Sequence, residues 1–432
     1  MSVITVTPAS RGLRGTATVP GDKSIAHRAL LLGAVGRGRS VIRGFAGGAD
    51  NVATLAACRA LGVAVSERAE EIEIAGRGWD GLAAPTGTID CRNSGTTMRL
   101  LAGLLAGRPF TSRLDGDQSL RRRPMRRVIE PLTDMGAVIV SEDEAGRAPL
   151  RIEGRQLHGA VHTLPVASAQ VKSALLLAGL QAMGETRVEE PAASRDHTER
   201  LLGDFGATIE RGKGWVALCG PQELRDALVD LPGDFSSASF FVVAALLLRG
   251  SELRLADVGV NPTRTGLLDA LAAMGAAISV EPADVASGEP RATLLVRTTA
   301  LHGTRIEGEL LLRAIDEFPI LCVAAALAEG TTEVRDAAEL RVKESDRIAT
   351  MAEVLRALGA RVEELPDGLV IAGPTRLAGA RVDPRGDHRI AMAAAVAGLL
   401  SEQGVTIVDA ECAEVSFPGF YQVLATLAAG SV

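Results

Sequence analysis

The chain has few aromatic residues and no excess of positive charge. Its 432 residues include nine Phe, two Trp and one Tyr, so aromatic side chains make up 3%. Lys and Arg number 46 against 53 Asp and Glu, which gives a net charge of −7. Proteins that bind nucleic acid normally present a basic surface, and those that bind single strands add aromatic rings for stacking. We therefore expect no nucleic-acid partner.

Cysteine pairs and long hydrophobic runs are also missing. The five cysteines are scattered singly, without a CxxC pair, which suits a reducing compartment and gives no zinc-site spacing. The longest apolar run, residues 240–248, is far shorter than the roughly 20 residues that span a bilayer. The first residues, MSVITVTPAS, lack the pattern of a signal peptide. We expect a cytoplasmic protein with no membrane partner and no metal site.

What the sequence does contain is one pattern that occurs six times. In each copy a small or polar cluster opens an Ala- and Leu-rich helix that ends at Gly or a polar turn, and the copies start roughly 65 to 80 residues apart. They begin GDKSIAHRAL at Gly21, NSGTTMRLLAG at Asn93, ASAQVKSALLLAG at Ala167, GDFSSASFF at Gly233, IDEFPILCVAA at Ile315 and GDHRIAMAAA at Gly386. We call these copies repeats 1 to 6.

Each opening helix is followed by a β-branched stretch and then by a second amphipathic helix, which predicts an α/β fold. In five repeats the second helix ends in a hydrophobic-Gly pair, typical of a left-handed cap. Repeat 6 ends the chain without its last strands, whereas residues 3–6 and 16–19 are strand-like and unassigned. We therefore predict that the N-terminus completes repeat 6. This organisation predicts an N-terminal domain of residues 20–232 and a C-terminal domain of residues 1–19 plus 233–432, each of three repeats.

An ordinary doubly wound α/β enzyme is the alternative fold. Such a fold usually carries a glycine-rich phosphate loop, but neither GxGxxG nor GxxxxGK[ST] occurs here.

Polar and basic residues gather at the helix starts. Helix N-termini expose unpaired N–H groups and partial positive charge, so several of them facing one cleft would form an anion site. A single Arg is most simply a solvated surface residue, but cations recur at the same place in each repeat. The run RRRPMRR from Arg121 resembles a nucleic-acid patch, although its Pro favours a helix start. The pattern predicts a small substrate with two or more phosphate or carboxylate groups.

Two acidic positions stand out among these cations. Asp316 begins an apolar helix, and Glu344 lies within the cationic segment RVKESDR. A carboxylate there can be a simple helix cap. Near cations and shielded from water it can instead serve as a general acid or base.

These segments resemble the 5-enolpyruvylshikimate-3-phosphate synthase (EPSP synthase) family over essentially the whole chain. The motifs that carry the resemblance are GDKSIAHRAL, NSGTTMRLLAG, RRRPM, ASAQVKSALLLAGLQ, SRDHTE, GDFSSASF, NPTRTG, IDEFPIL, RVKESDRI, GDHRIAMA and SFPGF, in the family's order. The resemblance implies two inside-out α/β domains of three repeats each, joined by a double-crossing hinge, with the active site in the cleft between them. It also implies a monomer that needs no metal or redox cofactor.

The resemblance also assigns residues to two substrates, shikimate 3-phosphate and phosphoenolpyruvate. Shikimate 3-phosphate would be bound by Lys23, Ser24, Arg28, Ser168, Ala169, Gln170, Arg195, Asp316 and Lys343. Phosphoenolpyruvate would be bound by Lys23, Gly95, Arg123, Gln170, Arg347 and Arg389. The implied reaction transfers the carboxyvinyl group to the 5-hydroxyl of shikimate 3-phosphate, in the route to chorismate and the aromatic amino acids. Asp316 would be the base, and Glu344 and Lys23 would handle the protons at C3 and phosphate.

Three positions depart from parts of the family. Ala169 and Arg195 match the branch typified by glyphosate-tolerant enzymes, Val415 stands where some members have Lys, and Gly95 matches the glyphosate-sensitive pattern. The sequence thus leaves glyphosate sensitivity open, with Gly95 favouring a glyphosate target.

Two other functions fit the sequence less well. A UDP-N-acetylglucosamine enolpyruvyl transferase typically has Asn where Ser24 stands and Cys in the loop before the Arg, and residues 115–123 contain no Cys. A non-catalytic repeat binding protein would spread its cations across one broad face.

Overall fold

The computed structural model describes residues 2–283 and 285–429, which divide into two compact domains. Domain N comprises Gly21–Leu231 and Ala286–Glu289, and domain C comprises Met1–Pro20, Pro232–Val285 and Pro290–Val432. The chain thus passes between the domains at Pro20 and Leu231, and again on either side of the segment 286–289. Each domain has its own hydrophobic core, built mainly from its opening helices.

Domain N contains repeats 1 to 3. Its helices are α1 Lys23–Val35, α2 Ala49–Ala60, α3 Gly95–Ala106, α4 Arg126–Asp134, α5 Ala169–Gly179 and α6 His197–Asp204. Its strands are β3 Gly36–Arg43, β4 Ala64–Arg68, β5 Glu71–Arg77, β6 Ile89–Asp90, β7 Thr111–Asp115, β8 Val138–Ser141, β9 Leu150–Glu153, β10 Val161–Thr163, β11 Gly184–Glu189, β12 Glu210–Gly212, β13 Trp215–Gly220, β14 Leu224–Arg225 and β15 Leu228–Asp230.

Domain C contains repeats 4 to 6 and the first residues of the chain. Its helices are α7 Phe235–Leu247, α8 Gly266–Ala273, α9 Gly308–Ala314, α10 Phe318–Leu327, α11 Arg347–Ala357, α12 His388–Leu400 and α13 Phe420–Ala429. Its strands are β1 Val3–Val6, β2 Arg14–Ala17, β16 Glu252–Gly259, β17 Ile278–Pro282, β18 Arg291–Arg297, β19 Arg305–Ile306, β20 Gly330–Val334, β21 Arg361–Leu365, β22 Gly368–Gly373, β23 Ala380–Val382 and β24 Val405–Val408.

The opening helices form because each begins at a polar cap and is apolar on all sides after its first turn. Asp22, Ser94, Asp234 and Asp387 each accept a backbone N–H of the first turn through their side chains. Helix α7 is buried from Phe235 to Leu246. A helix that is hydrophobic all round belongs in a core rather than on a surface, so the predicted inside-out arrangement of helices within the sheets is confirmed.

The second helices of five repeats end as the sequence predicted. Each helix ends next to a glycine whose φ is positive, a conformation that other residues adopt at a cost. These glycines are Gly62, Gly136, Gly206, Gly275 and Gly359, with φ between +81° and +98°.

Most of the sheets share one strand order. In β6-β7-β9-β8, for example, β6 and β7 are parallel and the other pairs are antiparallel. In repeat 1 the parallel partner of β3 comes from β14 and β15, which return after repeat 3. That return was not predicted, because nothing in two short segments marks their distant partner.

The N-terminus completes two repeats rather than one. Strand β1 pairs antiparallel with β24 of repeat 6, Val3 lying opposite Val408, as predicted. The prediction that residues 16–19 also join repeat 6 is wrong, because β2 pairs in parallel with β16 of repeat 4, Ala17 lying opposite Leu255. The physical reason is that the chain enters α7 directly from the crossing between domains. Repeat 4 therefore has no preceding strand of its own, and β16 would otherwise lack a parallel partner.

The lengths of the helices can be compared with the thickness of a lipid bilayer. The opening helices are at most 13 residues long, and none of the helices in the described part of the chain is long and apolar enough to cross a bilayer.

Candidate active site

The predicted site residues fall into one group in each domain. Domain N holds Lys23, Ser24, Arg28, Gly95, Arg123, Ser168, Ala169, Gln170 and Arg195, and domain C holds Asp316, Lys343, Glu344, Arg347 and Arg389. Nearly all of them lie at or just before the start of a helix. The helix N-termini therefore carry the polar groups, as the sequence predicted.

The start of α1 is held by contacts from three other helices. Lys23 Nζ lies 3.1 Å from a carboxylate oxygen of Asp50, in the first turn of α2. Arg28 donates to the Thr198 hydroxyl of α6 at 2.7 Å and to the Ser173 hydroxyl of α5 at 2.8 Å. Asp50 and Thr198 were not predicted, because an acid or a Thr in the first turn of a helix is an ordinary helix-start residue.

Arg28 is a buried cation with both acidic and basic neighbours. Burial lowers the pKa of the Arg28 guanidinium to about 10, Glu199 opposes that shift, and the charge of Arg195 adds to it. Asp22 and Glu289 also support the charge of Arg28. A bound phosphate would support it further, because an opposite charge nearby favours the charged form.

The starts of α3 and α5 are joined by side-chain hydrogen bonds. Arg99 donates to the side-chain oxygen of Gln170, and the Gln170 amide donates to the Thr96 hydroxyl at 2.9 Å. Gly95 leaves room for two guanidinium groups, since a Cβ there would lie 2.9 Å from Arg99 Nη1 and 3.2 Å from Arg123 Nη1. This corner of domain N therefore concentrates two cations beside a helix N-terminus that has no side chain in the way.

The centre of the domain C group is Asp316, which precedes α10 in a short 3-10 turn. Three guanidinium groups surround its carboxylate: Arg347 at 3.5 Å, Arg389 at 3.5 Å and Arg264 at 3.7 Å. Arg389 also donates to the Asp316 carbonyl at 3.1 Å. The Asp316 side chain is 13% exposed, so it is shielded without being sealed from water. Such a carboxylate is a candidate general base. The three arginines beside it are candidate ligands for substrate anions.

Arg347 is fixed by acidic neighbours on three sides. It binds Glu344 at 2.7 Å and the buried carboxylate of Asp387, the cap of α12, at 2.8 Å. Burial by itself disfavours the charged form, but the charges of Asp387, Glu344 and Asp316 outweigh it, so the pKa of Arg347 lies above its ordinary range. The guanidinium is thus a permanent, rigidly held cation.

Lys343 is the most easily neutralised cation of this group. Burial lowers the pKa of its ammonium, and the charges of Asp316 and Glu339 only partly offset that shift. An anionic ligand would restore the charged form, because an opposite charge nearby favours it.

Some of the cations that the sequence placed at helix starts do not join the site. Arg121 is exposed and forms an ion pair with Asp115, whereas Arg123 of the same run is buried. Arg341 pairs with Asp346 and Glu364. Lys172 is buried between two glutamates. Sequence alone could not separate these cations from the site, because the partners lie on other elements.

Comparison with known proteins decides the family. The family model for EPSP synthase (3-phosphoshikimate 1-carboxyvinyltransferase) matches residues 7–424. The chain is 55% identical to the 3-phosphoshikimate 1-carboxyvinyltransferase of Geobacter metallireducens, over 99% of this chain and 100% of the relative. It is 51% identical to that of Pelobacter propionicus, over the full length of both. The chain belongs to the EPSP synthase family.

A solved structure agrees with this family membership. The EPSP synthase of Acinetobacter baumannii is 42% identical, covers 98% of both chains and has a TM-score of 0.88. The α/β class that the sequence predicted is therefore confirmed, and so is the enzyme class: a carboxyvinyl transferase acting on a phosphorylated shikimate. The UDP-N-acetylglucosamine alternative and the non-catalytic alternative have no support in these comparisons.

Proposed function

We propose that the two groups of residues described above work together on one pair of substrates, shikimate 3-phosphate and phosphoenolpyruvate. The assignment of the activity rests on the family match over residues 7–424. The roles of the individual residues rest on the chemistry of each group.

In domain N, Arg28 and Arg195 would bind the phosphate of shikimate 3-phosphate, aided by Ser24 and the cap residue Ser168. A phosphate dianion could pair with both guanidinium groups and accept hydrogen bonds from the two hydroxyls. Ala169 and Gln170 lie in the first turn of α5, where backbone N–H groups are free to donate. Gly95, Arg123, Arg347 and Arg389 would hold the carboxylate and phosphate of phosphoenolpyruvate.

The reaction would proceed by addition and elimination. The 5-hydroxyl oxygen attacks C2 of phosphoenolpyruvate and loses its proton, while C3 gains a proton. Phosphate then leaves from C2 and C3 gives up a proton, which forms the new double bond. Asp316 is the proposed acceptor of the hydroxyl proton, with Lys343 beside it on the shikimate 3-phosphate side. Substrate anions that occupy Arg347 and Arg389 reduce the positive field around Asp316, which makes it a better proton acceptor.

Glu344 and Lys23 are the proposed groups for the protons at C3 and at the phosphate. Glu344 is held by Arg347 at 2.7 Å, and Lys23 is held by Asp50 at 3.1 Å. Both contacts fix the reactive atom in one place, and positioned acids and bases of this kind typically contribute about 100- to 10,000-fold in rate.

Phosphate release from the purified protein tests the activity. We expect release that requires both substrates and continues in the presence of a chelator. Release with UDP-N-acetylglucosamine in place of shikimate 3-phosphate would contradict the proposal.

Variants test the assignment of residues. Asp316→Ala should mainly lower kcat, and Arg123→Ala should mainly raise KM for phosphoenolpyruvate, because the first removes a proton acceptor and the second a ligand to the substrate. Arg121→Ala is the matched control, since it removes an exposed Arg of the same run. Near-full turnover in Asp316→Ala, or equal effects of the two Arg variants, would show that the assignment is wrong.

A further inference from the structure

A buried cluster of three charges lies behind the proposed shikimate 3-phosphate site in domain N. The Lys172 ammonium lies 2.8 Å from a carboxylate oxygen of Glu190 and 2.8 Å from one of Glu199. The three side chains are between 4% and 6% exposed. Burying three charges is costly, and apolar residues of similar size would often be as stable. Stability alone therefore does not explain why these three charges are buried together.

The contacts of Glu190 indicate a role in holding two segments of the site together. This residue directly follows β11, and its two carboxylate oxygens accept hydrogen bonds from two different segments of the chain. One accepts the Ser168 N–H at 3.0 Å, and the other accepts the Ser194 hydroxyl at 2.8 Å. Ser168 caps α5 and precedes Ala169 and Gln170, and Ser194 precedes Arg195. One carboxylate thus joins the two segments that carry most of the proposed phosphate ligands outside α1.

Lys172 and Glu199 complete the arrangement. Lys172 lies one turn after Ser168 on α5, and its ammonium also reaches the Ser194 carbonyl at 3.5 Å. Burial disfavours that ammonium, but Glu199 and Glu190 outweigh the effect, so the pKa of Lys172 lies above its ordinary value. Glu199 also opposes the loss of charge on Arg28. The Lys172 ammonium therefore keeps its charge beside Glu190, and a charged acceptor holds Ser168 and Ser194 more strongly than a neutral one.

We infer that Glu190, neutralised by Lys172, is a positioning residue for the binding of shikimate 3-phosphate. This inference rests on the proposed function of the site. Glu190 is not a ligand of the substrate: it sets the spacing between the cap of α5 and Arg195, so that both meet one phosphate. The binding of phosphoenolpyruvate should depend on it less, because Gln170 is the one proposed ligand of that substrate on these two segments.

The test measures the Kd of shikimate 3-phosphate by calorimetry, without phosphoenolpyruvate and therefore without turnover. Glu190→Ala removes both hydrogen bonds, and we expect Kd to rise about ten- to hundredfold, the effect of one or two lost charge-assisted bonds. Glu190→Gln keeps an acceptor for the Ser168 N–H, but its amide NH2 would face the Lys172 ammonium, which then pairs with Glu199 alone. This variant should recover only part of that loss. Ser194→Ala removes one bond and no charge, and should raise Kd about three- to tenfold.

Glu189→Gln is the matched control. The Glu189 carboxylate is exposed, lies at the end of β11 and binds Arg187. The Kd of shikimate 3-phosphate in this variant should therefore stay within twofold of that of the unmodified enzyme. In steady state, Glu190→Gln should raise KM for shikimate 3-phosphate while KM for phosphoenolpyruvate and kcat stay within about threefold. A purely structural role would instead lower the melting temperature and move all three constants together.

The outcomes separate the two proposals. Unchanged Kd values in Glu190→Gln and Ser194→Ala, with the unmodified enzyme binding normally, would overturn the inference alone. Failure of the unmodified enzyme to bind shikimate 3-phosphate would overturn the proposed function itself. If Glu190→Ala does not fold, the Gln and Ser194 variants still decide the question.

Discussion

At the scale of single residues, the chain places each charged group against a partner that fixes both its position and its protonation. Asp316 faces three guanidinium groups, and Arg347 faces three carboxylates. Because each ion is held by the others, the group has little freedom to rearrange when substrate arrives, and this preorganisation is the main source of electrostatic catalysis. Removing Asp316, which is 13% exposed, should affect the chemistry more than the fold, whereas removing Arg347 would leave buried carboxylates unpaired and destabilise the protein.

The glycine at the start of α3 gives a prediction of this kind. In Gly95→Ala the new methyl group would press on Arg99 Nη1 and Arg123 Nη1, at 2.9 and 3.2 Å. Both are ends of flexible side chains, so the protein should fold while the two cations move. We expect KM for phosphoenolpyruvate to rise about tenfold and the Kd of shikimate 3-phosphate to stay unchanged. Gly87→Ala, which places its Cβ in open space, is the control.

Two buried histidines predict how stability depends on pH. Burial lowers the pKa of His27 well below its ordinary value, with Lys23 and Arg28 adding to the shift, and burial also lowers the pKa of His162. The folded protein therefore resists protonation of both rings, whereas the unfolded chain takes up protons below a pH of about 6.5. Stability is therefore intact above that pH and is lost as the pH falls below it, by at most about 1.4 kcal/mol per pH unit for His27.

Urea unfolding between pH 7.5 and 5 measures this effect. His27→Gln should be less stable at pH 7.5, because it disturbs a buried contact with Thr54 at 2.7 Å, but its stability should fall less steeply toward pH 5. Parallel curves for the two proteins would show that His27 does not remain neutral in the fold.

At the scale of elements, the packing of opening helices depends on small residues where two backbones meet. Helices α3 and α5 approach so closely at Gly103 that a Cβ there would lie 2.0 Å from the Ala174 carbonyl oxygen. That neighbour is backbone and cannot turn aside. The close approach also brings the starts of α3 and α5 near enough for Gln170 to accept from Arg99 and donate to Thr96.

Gly103→Ala should therefore force the two helices apart. We expect a loss of about 1–3 kcal/mol in unfolding free energy, the usual effect of overpacking, together with weaker binding of both substrates. Gly203→Ala in α6 is the matched control, because nothing lies within 4 Å of its Cβ; it should be neutral or stabilising by up to about 1 kcal/mol. Equal effects of the two substitutions on denaturant midpoints would contradict this account of the packing.

At the scale of the whole molecule, the first residues of the chain belong to the same domain as the last. Strand β1 pairs with β24, and β2 pairs with β16, so two separate sheets of domain C depend on residues far from them in sequence. Domain N has its own core. Loss of the N-terminal segment should consequently weaken one domain selectively.

Two deletions test this dependence. Removal of residues 2–9 takes away β1 alone, and removal of residues 2–18 takes away β1 and β2. We expect the melting temperature to fall in that order, with faster hydrogen exchange in β24 for both deletions and in β16 only for the longer one, while domain N stays protected. Domain C exchange unchanged by the longer deletion would rule out this role.

Much of the site was visible in the sequence because helix caps and cations are local signals. Asp22, Asp234 and Asp387 precede apolar runs, and a polar residue in that position predicts both where the helix begins and where N–H groups are free. Glu190 and Asp50 gave no such signal. Their roles come from contacts across distant segments, and a buried glutamate after a strand looks the same in sequence as an exposed one.

The buried helices and most of the polar helix starts could be predicted from the sequence, because caps, glycine ends and apolar runs are local patterns. The repeats and the resemblance to the family came from the order of motifs along the whole chain. The pairing of strands and the neutralisation of particular cations could be seen only in the fold. Strand pairing joins segments of any separation, as β2 with β16 shows. Likewise the charge of Lys172 is balanced by Glu190, which follows β11, and by Glu199 of α6, rather than by its neighbours in sequence.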